Sequence, residues 1–489
     1  MLYMKVLSIY KFSDQGRLMS EQKLQYKFTG EVYTPSHIVN LILDEVGYSG
    51  YNILHQHIID NSAGAGAFLI EVVRRFVHVA NQQNISVENI ALGLETYIHG
   101  IELSKEGYQL LIKNLDSLVY DLGIRKVEWD IINGDALAID QFNCQMDFVV
   151  GNPPYVRVHN LNESYDNVKT FLFTQTGMTD LYLAFYELGI RMLKQHGRLS
   201  YISPSSWWTS LAGVNFRKYL VNKKSIYKLI DLGHYQPFEK ITTYTAITFI
   251  QKDNVFDYVD FFEFDKSGKH YVDRLDYSDF SIGKEFYFGT KNDLHTFRQI
   301  RDYQHFGQPI RVKNGFATLA DKTFLNTDSL SSEFVIPVVK ATTGEWKKII
   351  YPYDEQGKII PEETFSTDEA YTRIKENFEQ LSKNKPWYGY GRTQAINDVR
   401  KFRLSLNSTI NNTDLLRLTE VPIGSGVYGG IYIVDFESVD IPRIKEVLYT
   451  SDFMAYVKVL RKYRRGGYYT FSSRDVEQFL NYKIRTHDE

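Results

Sequence analysis

Ile58-Ile59-Asp60-Asn61-Ser62-Ala63-Gly64-Ala65-Gly66-Ala67-Phe68 decides the fold class. Two β-branched residues and a carboxylate read as the end of a buried strand. A turn of small residues follows, and Phe68 opens a helical pattern that runs to Val79. A strand that passes through a tight turn into a helix is one unit of a parallel sheet covered by helices. The small residues let the backbone approach a ligand closely, and the N–H groups at the helix start favour an electron-rich partner. A strand-to-helix turn that binds nothing would read the same way.

Outward from this unit the rhythm repeats. Ile98 to Glu102, Asp147 to Val150, Leu199 to Ile202, Lys228 to Asp231 and Tyr244 to Ile250 read as strands, with helices over Gly107 to Leu118 and Leu181 to Leu193. Glu102 ends the second strand, where an acidic side chain can accept both hydroxyls of a ribose. A solvated strand end is the alternative. Asn133-Gly134-Asp135-Ala136 follows a third strand, and Asp135 can accept the exocyclic amine of an adenine. Three successive strand ends carrying a glycine turn or a carboxylate point to an adenosine-type ligand, and a nicotinamide dinucleotide would use the same geometry.

Asp147-Phe148-Val149-Val150-Gly151-Asn152-Pro153-Pro154-Tyr155 separates the two. Two prolines directly after a buried strand fix the backbone and remove two N–H groups, so the loop presents carbonyl oxygens rigidly. The amino nitrogen of adenine is a poor nucleophile because its lone pair is delocalised into the ring. If the Asn152 side-chain oxygen and the Pro153 carbonyl each accept one of its N–H groups, the nitrogen is drawn toward tetrahedral geometry. Its lone pair can then attack a methyl sulfonium, with Tyr155 stacked on the base to hold its plane. The alternative is a proline-rich surface turn.

With these motifs the sequence resembles the amino-group DNA methyltransferases that use S-adenosylmethionine, specifically the N6-adenine class of restriction-modification systems in which the cofactor motifs come first. The resemblance implies a doubly wound, mostly parallel α/β methyltransferase sheet and a second, mixed α/β target-recognition domain. The expected division is an N-terminal extension over 1–27, a catalytic domain over 28–255 and a recognition domain over 256–489. It implies that Thr34, in Gly30-Glu31-Val32-Tyr33-Thr34-Pro35, lies in the motif that closes over the methionine moiety. Asp60, Ala63, Gly64 and Gly66 form the cofactor loop, Glu102 holds the ribose, Asp135 and Ala136 the adenine, and Asn152 borders the cofactor. Asn152, Pro153, Pro154 and Tyr155 are the catalytic loop. Phe238 is the first choice for a second aromatic against the extruded base and Tyr244 the second, with a core aromatic as the alternative for each. The chain departs from the family at Asn61, usually Pro, and at Ala63, often Cys or Gly, which puts the cofactor geometry in question.

After about residue 255 the βα alternation fades into Tyr- and Lys-rich stretches with short strands over Phe334 to Val339 and Gly430 to Val434. A flipped-out base requires the enzyme to grip the remaining duplex, and that requires cations. Lys458 to Arg474 holds six basic residues and no acid, among them Arg461, Arg464 and Arg465 beside Gly466-Gly467-Tyr468-Tyr469. Lys383 to Arg403 holds six more against one acid, Asp398, including Lys383 and Arg392, with Trp387, Tyr388 and Tyr390 interleaved. Double-stranded DNA is the expected partner of both runs, and a solvated charged face is the alternative. Glu345-Trp346-Lys347, with Asp328 upstream, has the spacing of a metal-dependent nuclease but reads better as a surface strand. Families that fuse cleavage to methylation carry an extra domain ahead of Thr34-Pro35, and about thirty residues stand there. A separate cognate restriction endonuclease is therefore the expected arrangement, and no metal site is expected.

Composition sets the frame. The 489 residues are 43% hydrophobic and 24% charged, as in globular domains, so disorder and membrane embedding are excluded. Basic against acidic residues number 22 to 24 up to Ile250 and 34 to 35 after it, so any surface for a polyanion is a local patch. The one cysteine, Cys144, rules out a disulfide framework, and the N-terminal apolar run is too interrupted for a signal peptide. A cytoplasmic monomer with no membrane contact is expected. Two other functions use related parts: a protein glutamine or RNA methyltransferase with the same loop, and a catalytically inert DNA specificity protein.

Overall fold

In the first half of the chain, three- to six-residue apolar runs become buried strands, and the amphipathic segments between them become the covering helices. The computed structural model describes residues 34–158, 168–238, 243–305, 307–325, 327, 329–381, 386–437 and 439–486. They form two compact units, divided between Lys291 and Asn292.

The first unit opens with helix α1 (Ser36–Val46), which starts directly after Pro35 and stops at Gly47, held at φ 89°. Strand β1 (Ile58–Asp60) leads to α2 (Ala67–Gln82) and α3 (Val87–Tyr97), which runs without a loop into β2 (Ile98–Glu102). Helix α4 (Lys105–Asp121), β3 (Asp130–Asn133), β4 (Met146–Gly151), α5 (Tyr182–Met192) and β5 (Leu193–Pro204) follow. Then come α6 (Val214–Lys223), β6 (Ile226–Asp231), β7 (Thr245–Gln251), β8 (Tyr258–Asp265) and β9 (Gly268–Asp276). All nine strands belong to one sheet, in the order β3-β2-β1-β4-β5-β7-β6-β8-β9. The pairs from β3 to β5 are parallel, and β7 lies antiparallel between β5 and β6.

The expected doubly wound, mostly parallel sheet is thus present. The chain winds outward from β1 to β3 and then crosses to β4, so the switch in winding direction falls between β1 and β4. At such a point the loops leaving the two strands diverge and leave a crevice at their carboxyl ends, where ligands of open α/β sheets bind.

The expected change of domain after residue 255 is displaced. β8 pairs parallel with β6, and β9 pairs antiparallel with β8, so the first sheet continues through Asp276. A half-exposed edge hairpin lacks the continuous apolar runs of the inner strands.

The second unit is of mixed type. Four antiparallel strands, Arg311–Asn314, Ile431–Val434, Arg403–Leu406 and Leu418–Val421, form one sheet. Glu345–Ile350, Val335–Lys340 and Gly426–Tyr428 form another. Helices Asp440–Leu448, Ser451–Val459 and Ser473–Arg485 belong to the same unit. Its core holds Phe316, Tyr351, Tyr388, Tyr390 and Tyr432, so much of the aromatic richness is packing.

Candidate active site

The loop after β1 turns on two glycines with positive φ, Gly64 at 53° and Gly66 at 94°. Gly66 is required for packing as well, since a Cβ there would stand 2.5 Å from Leu111 Cδ1 of α4. The turn is tied to β2: Ala63 N–H donates to the Ile101 carbonyl at 2.9 Å, and Gly64 N–H donates to Glu102 Oε2 at 2.8 Å. The other carboxylate oxygen of Glu102 accepts the Ser104 N–H at 2.8 Å. Glu102 is thereby fixed at the strand end with lone pairs left for a further donor.

Asn61, the departure from the family, proves to be an anchor. Its Oδ1 accepts the Tyr201 hydroxyl at 2.8 Å, and its amide points to Met192 Sδ at 3.7 Å, all inside the sheet–helix core. A polar residue is tolerated because β5 supplies its donor, and the glycine turn beyond it keeps its shape. Tyr201 reads in the sequence only as a strand residue, so this support is not visible there.

Asp60 is 1% exposed, and its Oδ1 accepts the Ser62 N–H at 3.0 Å. Burial, with the neighbouring Glu102 charge adding to it and the Ser62 hydrogen bonds opposing it, pushes the carboxyl up to about 7. A Cβ at Gly151 would lie 2.8 Å from Asp60 Oδ1, so only glycine lets β4 pass this close. The loop after β1 and the Asn-Pro-Pro-Tyr loop are in this way packed against each other at the switch point.

Beyond Gly151, Asn152 donates its Nδ2–H to Thr34 Oγ1 at 3.1 Å, and Thr34 is 2% exposed. That bond sets which way the carboxamide faces and brings the residue ahead of α1 into the site. The Tyr155 hydroxyl donates to the Ile202 carbonyl of β5 at 3.2 Å. The Tyr155 ring meets Phe238 edge-on, with centroids 6.3 Å apart and planes at 73°. Val156 to Val158 then pair with Thr179 to Leu181, which locks the far side of the loop.

Thr34, Asp60, Ala63, Gly64, Gly66, Glu102, Asn152, Pro153, Pro154, Tyr155 and Phe238 are thus drawn together around the carboxyl ends of β1, β2 and β4. Asp135 follows β3 and uses Oδ1 to cap the short turn at Leu137, beside buried Ala136. Tyr244 stands edge-on to His234, with ring centroids 6.3 Å apart. Gly30 to Tyr33 lie outside the described residues.

The donor set suits an adenosine moiety. A Cβ at Gly64 would meet no atom within 4 Å, so the loop faces open space beside the Glu102 carboxylate.

In the second unit Arg464 and Arg465 are exposed at the tip of a hairpin that turns through Gly466 and Gly467, both at φ 83°. Neither makes an ion pair among the described residues. Arg461 is half-buried and donates to the Tyr463 hydroxyl at 3.1 Å, and Lys462 is held by Asp475 at 2.7 Å. The second basic run divides: Arg392 is exposed, but Arg403 is fully buried, and Asp398 is a buried hub that accepts from Lys313 and the Tyr432 hydroxyl, each at 2.7 Å. Lys383 lies outside the described residues, as does Asp328.

Strand order and an antiparallel β7 define the first unit as a class I methyltransferase fold. Residues 75–238 match the Eco57I restriction-modification methylase family, which bears out the expected resemblance to restriction-modification methyltransferases. The chain is 31% identical over 245 residues to the Type II methyltransferase M.BstVI of Geobacillus stearothermophilus, covering 47% of this chain and 43% of that protein. It is 24% identical to the Type II restriction enzyme and methyltransferase RM.Eco57I of Escherichia coli, over 79% of this chain and 50% of that one. The chain thus spans about half the length of the curated relatives it matches. The structure of the Type IIL restriction-modification enzyme MmeI, determined in complex with DNA, superposes with a TM-score of 0.59 at 12% identity. That likeness covers 96% of this chain and 66% of MmeI and shows a shared fold. Among the described residues no helix is long and apolar enough to cross a membrane.

Proposed function

We propose that this chain is a site-specific DNA methyltransferase that transfers a methyl group from S-adenosylmethionine to the N6 amine of a flipped-out adenine. The observation that carries the reading is the Asn152-Pro153-Pro154-Tyr155 loop at the end of β4, packed through Gly151 against the turn after β1. When bound, the cofactor supplies a methyl group on a positively charged sulfur. Asn152 Oδ1 and the Pro153 carbonyl accept the two N–H groups of the target amine and localise its lone pair for in-line attack. Thr34 keeps the Asn152 amide end turned away from that amine. Tyr155, pinned to β5, presents a ring face to the base, and Phe238 backs it.

Arg464 and Arg465 contact the phosphates of double-stranded DNA, with Arg392 and Arg461 as further contacts and Lys383 as a sequence-based candidate. Such contacts position the duplex without reading its sequence. We place the enzyme in the cytoplasm beside a separate cognate endonuclease, an arrangement that M.BstVI, a methyltransferase alone, fits and that RM.Eco57I, a restriction enzyme and methyltransferase in one protein, does not.

The test is transfer of labelled methyl from S-adenosylmethionine to duplex DNA, with protein and RNA as parallel acceptors and mass spectrometry of the product nucleosides. N6-methyladenine in DNA is expected. N4-methylcytosine would move the chain to the cytosine-amine class, and label in protein or RNA alone would replace the reading.

A further inference from the structure

Two large apolar side chains of the first unit stand in solvent, one of them next to the segment that pairs with Val156 to Val158. Met178 is 77% exposed and Leu211 is 68% exposed. They come from different segments that meet: a Cβ on Gly177, which directly precedes Met178 and is held at φ 69°, would lie 3.2 Å from Ala212 N and 3.4 Å from Leu211 Cγ. Single exposed apolar residues need no explanation, but an adjoining pair from two separate loops does.

Both loops belong to the face where a target base must enter. Met178 directly precedes the stretch that pairs with the catalytic loop: Val158 N–H donates to the Thr179 carbonyl at 3.0 Å, and Leu181 N–H donates to the Val156 carbonyl at 2.8 Å. Leu211 lies in the loop leaving the carboxyl end of β5, the strand paired in parallel with β4, whose own carboxyl end carries Asn152.

These loops are also held rigidly, which an incidental surface loop is not. The buried Arg217 guanidinium donates from Nη1 to the Ser210 carbonyl at 2.8 Å and also to the Trp207 carbonyl. Ser210 N–H returns to the Ser206 carbonyl at 3.0 Å over buried Trp207 and Trp208. Asn215 reaches across from Nδ2 to the Leu172 carbonyl at 2.9 Å and to Thr176 Oγ1 at 3.2 Å, clamping the Met178 loop to the Leu211 loop. Arg157, exposed and two residues past Tyr155, pairs through its backbone with Asp180, two residues past Met178.

We propose that Met178 and Leu211 form a preset wedge that enters the base stack of duplex DNA and fills the space vacated by the extruded target nucleotide. Apolar side chains inserted between base steps offset part of the unstacking cost, and extruding a base from an intact pair is the step that needs such support. The rigid tethers make the wedge effective, because little side-chain or loop ordering is lost on insertion. The inference rests on the DNA-methyltransferase reading and adds two residues that touch the duplex but neither the cofactor nor the reacting amine.

The test compares methyl transfer by the unaltered protein, by Met178→Ala with Leu211→Ala, and by the conservative pair Met178→Leu with Leu211→Met. The substrate is a short duplex carrying the site that the protein methylates in its expression host, mapped by sequencing of modified bases. Each protein is assayed on the matched duplex and on one with an abasic site opposite the target base, which removes most of the cost of extrusion. The alanine pair should lose about tenfold or more on the matched duplex and recover to within about twofold of the unaltered protein on the abasic one. The conservative pair should retain near-normal rates on both. Equal losses of the alanine pair on both duplexes, or no loss on the matched one, would overturn the wedge while leaving the methyltransferase reading in place. Failure of the unaltered protein to methylate any duplex would overturn both.

Discussion

Asp60→Asn tests the packing of the two active-site loops through its effect on stability. Asp60 is 1% exposed, and burial pushes its carboxyl from 3.8 up to about 7. A raised carboxyl pKa means the folded state holds its proton more tightly than the unfolded state. Its contribution to stability is therefore fully present below about pH 4 and is lost as pH rises through about 7. The span of about three pKa units corresponds to a loss of about 4 kcal/mol by pH 8. Asparagine at this position keeps the acceptor for the Ser62 N–H and never ionises, but its amide is left to find an acceptor, at about 1 to 3 kcal/mol. That last cost does not vary with pH. The stability of Asp60→Asn relative to the unaltered protein should thus rise by about 3 kcal/mol between pH 5 and pH 8, whatever its value at pH 5. Urea unfolding followed by tryptophan emission reads the first unit through buried Trp207 and Trp208 when it is run in a background with Trp346→Phe and Trp387→Phe, the two tryptophans of the second unit. A difference that stays constant from pH 5 to pH 8 would refute the reasoning, because Asp60 would then ionise as freely in the folded protein as in the unfolded chain.

Four further outcomes follow from the geometry. Asn152→Ala should cut methyl transfer on the order of 100-fold or more while leaving cofactor affinity within a few-fold, measured by single-turnover assay and titration calorimetry. Glu102→Ala removes the acceptor of two backbone N–H groups, each at 2.8 Å, so cofactor binding should weaken by about 1 to 3 kcal/mol, and calorimetry reads this directly. Tyr201→Phe strips the donor from buried Asn61 Oδ1 and should destabilise the first unit by about 1 to 3 kcal/mol in the same urea assay, with nucleoside product unchanged. Replacing Arg464 and Arg465 with Ala should weaken binding to all duplexes alike and flatten the log-log salt dependence by roughly two units, whereas unchanged affinity and slope would mark the hairpin tip as a solvated face.

How far the sequence carried this account differs from element to element. β1 and β4 are legible because they are short apolar runs buried on both faces, and their loops because glycine and proline have few uses at a strand end. β8 and β9 are not legible: an edge hairpin alternates buried and exposed positions and resembles irregular chain. Helix α3 is hidden because it runs into β2 with no turn residue between them, its Gly93 packed against Phe76. At the site, residue types were readable but supports were not. Nothing in Asn61 points to Tyr201, 140 positions away, and nothing in Thr34 points to Asn152, 118 positions away. In Lys383 to Arg403 composition does not separate packing from surface: Arg403, Tyr388 and Tyr390 are core, whereas Arg392, Arg400 and Lys401 are exposed.

The central claim is that the loop after β4 activates an adenine amine. The most direct measurement is mass spectrometry of nucleosides from duplex DNA incubated with the purified chain and S-adenosylmethionine, run beside the Asn152→Ala protein. The account predicts N6-methyladenine with the unaltered chain and almost none with the variant. Undiminished N6-methyladenine from Asn152→Ala, or methyl groups found only on another acceptor, would contradict it.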